Sequence, residues 1–223
     1  MQSLSRLKPV LHAAIACAIL VAVCALWIDK PVEFWVVHHQ KHMLFWEGVA
    51  SPSLAPLPCA IVFFAYYALR RGEGLPFGAY ADLLLPVCMA VAVATIAKDE
   101  LKWIIGRPWP YAWVRIGAYA IRPFTLDFYH GGFPSGHTTY IAAPMFVLWW
   151  RLPRYRAVWL GLIVLVMAGL VLSGHHWVGD CVGGFFLGLA AAAGTLAVTP
   201  QGFAAHRPAG ALPPVSPRSP RSP

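Results

Sequence analysis

Residues 83–105 read LLLPVCMAVAVATIAKDELKWII. The run is long enough and apolar enough for a bilayer-spanning helix, which needs about 17–25 such residues. Its character changes at Lys98-Asp99-Glu100. A helix carried through that point either leaves the hydrocarbon or faces a wet cavity. Lipid offers no partner to an exposed peptide group, so a spanning segment of this kind is helical.

Five further segments of similar character flank this one, at residues 11–28, 54–69, 138–150, 157–173 and 181–198. Pro56 and Pro58 fall near the start of theirs, where proline costs a helix least. The 138–150 run is short, and His137 and Arg151 extend it as interfacial ends. The whole chain is 59% hydrophobic and 12% charged. A soluble domain carries about twice that charge fraction. The expectation is an all-α polytopic membrane protein, six transmembrane helices in a bundle over residues 1–199. Residues 200–223, rich in proline, serine and arginine, follow as a disordered tail able to touch anionic lipid. No internal repeat is visible. The 11–28 run is long for a signal peptide and no clear cleavage site follows it, so it reads as a retained helix.

Lysine and arginine sort the loops into two sides. Arg6, Lys8, Arg70, Arg71, Arg151, Arg154, Arg156, Arg207, Arg218 and Arg221 fall on one side, and the remaining seven on the other. The first set is expected to be cytoplasmic, with both termini, in a bacterial inner membrane. The loop 106–136 and the turn 174–179 then share the extracytoplasmic side. Most tryptophans lie near segment ends, as interfacial belts require. The net charge of +8 suits anionic lipid or a phosphate substrate. Nucleic acid is the weakest partner, because apolar runs separate the charges, and none is expected. Cys17, Cys24, Cys59, Cys88 and Cys181 show neither a CxxC nor regular spacing. They read as small buried apolar side chains rather than a zinc site or a disulfide framework.

Three polar clusters interrupt the apolar chain, and the loop assignment brings all three to one face. The first runs from Lys102 to Pro110, the second from Phe133 to Thr139, the third from Ser173 to Asp180. Lys102 and Arg107 offer cations to phosphate oxygens, the arginine bidentately. Snorkelling interfacial charge is the plainer reading, and it suffices for Lys98, Arg115 and Arg122. Pro134-Ser135-Gly136 precedes His137 at a helix start, where free N–H groups and the positive dipole end suit an anion. Ser135 adds a hydroxyl and His137 a general acid. An ordinary Ser135 cap followed by a surface histidine is the alternative. His176 and Asp180 stand four apart, a helical pair in which the carboxylate fixes one ring nitrogen and frees the other to attack. A capping aspartate beside an interfacial histidine explains the same pattern. His175 competes as nucleophile, with poorer spacing to Asp180.

In this order the clusters resemble the phosphatidic acid phosphatase type 2 superfamily. Its pattern is a lysine ahead of an Arg-Pro, then Pro-Ser-Gly-His, then Ser-Arg followed by a histidine and an aspartate four later. Lys102 and Pro110 match the first motif, Pro134-Ser135-Gly136-His137 the second, His176 and Asp180 the end of the third. The resemblance implies His176 as the nucleophile forming a phosphohistidine, Asp180 orienting it, and His137 protonating the leaving group. Lys102, Ser135 and the Gly136 amide would hold phosphate oxygens, with Arg107 as a further ligand. It implies no metal and no cofactor. Two positions depart from the pattern. Trp109 stands where the first motif has arginine, and Gly169-Leu170 where the third has Ser-Arg. The sphingomyelin-synthase-like branch also lacks the third-motif arginine and transfers a phospho-head group to an alcohol. The leading expectation is a lipid phosphatase acting on a phosphomonoester or diphosphate lipid. Head-group transfer and non-catalytic binding of lipid phosphate are the alternatives.

Overall fold

The computed structural model describes residues 2–75 and 80–199, with side chains from residue 10 onward. The expected tail at 200–223 lies outside the described residues. Among those residues the chain forms helices and no strands. α1 (Gln2–Val23) passes through a wide π-helical turn (Cys24–Ile28) into α2 (Asp29–His39). α3 (Met43–Ala50) and α4 (Pro56–Gly72) follow. α5 (Ala81–Ile105) is the longest helix and α6 (Pro110–Ile116) a short one. α7 (Gly136–Arg151), α8 (Arg156–Leu172) and α9 (Val178–Val198) complete the order.

Among the described residues five stretches are long and apolar enough to cross a bilayer: Val10–His39, Met43–Gly72, Ala81–Ile116, Pro153–Leu172 and Val178–Val198. The sequence led to six, and α7 is the difference. It has 16 residues, about 24 Å at a rise of ~1.5 Å per residue, short of the ~30 Å hydrocarbon core. Residues 141–144 and 146–147 of α7 are buried, and the helix packs against α5, α8 and α9. A helix enclosed by other helices need not match the lipid thickness.

Small residues let α7 and α9 approach closely. Asp180, Gly184, Gly188 and Ala192 repeat every four residues and are all buried, so one stripe of α9 faces inward. A Cβ on Gly184 would stand 2.6 Å from the Ser135 carbonyl oxygen, and one on Gly188 2.5 Å from Ala142 Cβ. The apolar core gathers around this contact, with Ile141, Phe146, Ile163, Val166 and Leu170 among its members.

Two helix boundaries position the polar end. The helical run beginning at residue 11 does not stop at Ile28 as the hydropathy suggests. It continues as α2 and carries Asp29 and Glu33 into the interior. α5 stops at Gly106, whose φ of 59° and ψ of 48° are left-handed. A side chain there would meet the Arg122 carbonyl oxygen at 1.8 Å. The Arg122 N–H in turn donates to the Gly106 carbonyl at 2.9 Å, tying the long loop back to the helix end.

Candidate active site

The ends of α5 and α8 and the starts of α7 and α9 meet at one end of the bundle. A cavity of about 1100 Å³ opens there, and Lys98, Lys102, Trp109, Gly136, His137 and His176 are in its wall. All three sequence clusters therefore contribute to one hollow.

α9 begins at Val178, so His176 precedes the helix and sits in the turn rather than on a helical face. Its Nδ1 still lies 3.4 Å from Asp180 Oδ2. The same oxygen accepts the Trp177 N–H at 3.3 Å. Asp180 is thus both the cap of α9 and the partner of the imidazole, so both sequence readings hold together. Burial lowers the His176 pKa, and the Asp180 hydrogen bond opposes that shift. With Nδ1 turned to the carboxylate, Nε2 is the nitrogen left for the cavity. His137 lies in the first turn of α7, its ring centroid 6.3 Å from that of His176. Burial, then the positive charge of His176, pulls its pKa down to about 4. His175 is exposed instead, its Nδ1 3.0 Å from Ser173 Oγ and its Nε2 3.8 Å from Glu47.

Gly136 opens α7, and its N–H has no intrahelical acceptor by position. A Cβ there would stand 3.2 Å from Lys98 Cδ and 4.0 Å from Lys102 Cε, so glycine lets both lysines close on the helix start. Lys102 donates to the Gly131 carbonyl and lies 4.6 Å over the Trp109 ring. The same tryptophan packs 4.7 Å from the His176 ring. Lys98, which reads from sequence as interfacial charge, is buried, pairs with Asp99 and borders the cavity.

Arg107 and Ser135 behave differently from the sequence expectation. Arg107 does not reach the cavity wall. One terminal nitrogen bonds Asp180 Oδ1 at 2.7 Å and the other Asp29 Oδ2 at 2.5 Å. Asp29 also accepts the Gly179 N–H at 2.9 Å. Two buried carboxylates outcompete an external phosphate for this guanidinium, because leaving either unpaired in the interior costs several kcal/mol. The fully buried Ser135 hydroxyl accepts the Thr138 N–H at 3.3 Å and the Thr138 hydroxyl at 3.1 Å. It caps α7 from behind the wall.

A family model described as the PAP2 superfamily matches residues 83–203, more than half of the chain. The chain belongs to the PAP2 superfamily. Among solved structures it is similar to the crystal structure of the first transmembrane PAP2 type phosphatidylglycerolphosphate phosphatase from Bacillus subtilis, at 18% identity and a TM-score of 0.48. That match covers 81% of this chain and 92% of the other. No curated protein matches significantly. The two departures from the family pattern have distinct local consequences. Trp109, in place of the motif arginine, covers His176. Leu170, in place of the other, belongs to the apolar core.

Sequence reasoning missed Asp29, Glu33 and the packing of Trp109. Two acids four residues apart, following directly on a run that reads as lipid-spanning, were the available signal for the first two.

Proposed function

We propose that this protein is an integral membrane lipid phosphatase that hydrolyses a phosphomonoester or diphosphate lipid through a phosphohistidine intermediate. The observation that carries the reading is the pair His137 and His176, 6.3 Å apart between ring centroids and bordering one cavity with Lys102. In this mechanism the phosphate lies between the two rings. His176 Nε2 attacks phosphorus, a P–N bond forms and the P–O bond to the lipid breaks. His137, protonated once the anion is bound, gives its proton to the leaving oxygen. Water then attacks the phosphohistidine, the P–N bond breaks and phosphate leaves. Lys102 and the Gly136 N–H stabilise the charge that develops on the phosphoryl oxygens. Asp180 holds the ring of His176, and Arg107 and Ser135 support the two helix starts.

On the charge bias of the loops, the site faces the extracytoplasmic side of a bacterial inner membrane, with the termini cytoplasmic. A second reading, transfer of a phospho-head group to a lipid alcohol, is favoured by one feature. Trp109 and Leu170 replace two cations, and Arg107 is held by Asp29 and Asp180. A phosphodiester carries less charge than a monoester and needs fewer cations. The deciding experiment offers purified protein a panel of phosphomonoester, diphosphate and phosphodiester lipids. Inorganic phosphate release is the expected product. Head group moving between lipids with no free phosphate would replace the first reading with the second.

A further inference from the structure

Glu33 is the acid that the mechanism does not use. It lies on α2 within the Val10–His39 stretch, is 4% exposed, and borders the cavity. Among the described residues no hydrogen bond or ion pair reaches its carboxylate. The lysines that border the same cavity are engaged elsewhere: Lys98 with Asp99, Lys102 with the Gly131 carbonyl and the Trp109 ring. Asp29, one turn earlier on the same helix, shows the contrast, because Arg107 neutralises it. A buried carboxyl without a partner either keeps its proton or takes a cation from a bound molecule, and inside a membrane protein such a group marks a functional place.

The position of Glu33 relative to the phosphate site limits what that partner is. A Cβ built on Gly174 would stand 3.5 Å from Glu33 Oε1, so the carboxylate abuts the chain two residues before His176. Glu33 and His176 therefore border one cavity through neighbouring parts of its wall, and a ligand with its phosphate at His176 shares that space with the Glu33 carboxylate. A hydroxyl would satisfy one lone pair and leave the charged form uncompensated. An ammonium group removes both deficits. It also brings its own positive charge into a site short of arginines.

Building on the phosphatase reading, we infer that the substrate is a zwitterionic lipid phosphate. Its ammonium group lies a few carbons from the phosphate and binds Glu33, which makes Glu33 a specificity-determining residue. The test compares two ligands that cannot turn over, a long-chain alkyl phosphonate bearing an amine three carbons from phosphorus and the same chain without the amine. Binding is measured by isothermal titration on the detergent-solubilised full chain at neutral pH. The wild type is expected to bind the amine-bearing ligand about tenfold more tightly, as a charge-assisted contact implies. Glu33→Gln, which keeps the shape and removes the charge, is expected to bring the ratio to about one, while Glu33→Asp keeps part of it. Equal binding of the two ligands by the wild type, or binding of neither, overturns the inference whatever the variants do. An unchanged ratio in Glu33→Gln overturns it as well. Phosphate release from a simple alkyl phosphate, assayed on the same samples, reads the phosphatase proposal separately. Amine preference without release would count against that proposal alone, and release without amine preference against this one alone.

Discussion

Arg107 and Lys102 come from the same short cluster and end in opposite circumstances. The arginine lies between Asp29 and Asp180 with both terminal nitrogens occupied, shut away from the cavity. The lysine borders the cavity, tied to one carbonyl and an aromatic face. One region is a closed network of charge that holds three segments together. The other keeps cationic capacity open to a ligand. The difference teaches that a cation close to the cavity in sequence is not thereby open to a ligand. What else is buried within its reach decides.

Substitutions break the comparison in graded ways. His176→Ala, on the cavity side, is expected to lower turnover by about three orders of magnitude or more while leaving the melting temperature in detergent near the wild-type value. Activity unchanged in that variant would end the phosphohistidine mechanism. Arg107→Met strips both buried carboxylates of their partner. It should cost about 3–5 kcal/mol of stability, read as a lowered melting temperature and poor yield. Lys102→Met is the matched experiment, with kcat/KM down by about two orders of magnitude and melting little changed. If Arg107→Met melts normally and loses only substrate affinity, the contrast between the two cations is wrong. Gly188→Ala drives a methyl toward Ala142 and the Ala143 backbone and should destabilise by about 1–3 kcal/mol. Activity per folded molecule is expected to survive it.

The smallest effect is a shift with pH. Burial, ahead of any neighbouring charge, lowers the His137 pKa to about 4. A general acid must be protonated, so kcat/KM, which reports the free enzyme, should decline from acidic pH upward. A bound phosphate favours the imidazolium, so the basic limb of kcat should lie at higher pH. The two profiles are to be measured with one soluble alkyl phosphate. Coincident limbs would show that His137 is not the titrating acid, as would the same limb in His137→Gln.

Much of the polar end was legible because its signal is local. Pro134-Ser135-Gly136-His137 carries its own cap and helix start, and His176 and Asp180 need only four residues to find each other. Arg107 was misread because its partner Asp29 stands 78 positions away, and no local pattern announces that pairing. Glu33 was missed because hydropathy ends a helix at the first charges, whereas the backbone runs on through Asp29 to His39. α7 was counted as a spanning helix for a related reason. Apolar residues look alike in sequence whether they face lipid or neighbouring helices, and only the packing on Gly184 and Gly188 distinguishes the two.

The carboxylate of Asp180 is divided among three obligations: Arg107 on one oxygen, the His176 ring and the Trp177 amide on the other. Truncating it would release the ring of His176, the proposed nucleophile, fray a helix start and orphan a guanidinium in one stroke. A dead Asp180→Ala enzyme therefore says little about chemistry, whereas Asp180→Asn, which keeps an oxygen for the amide, separates loss of charge from loss of architecture.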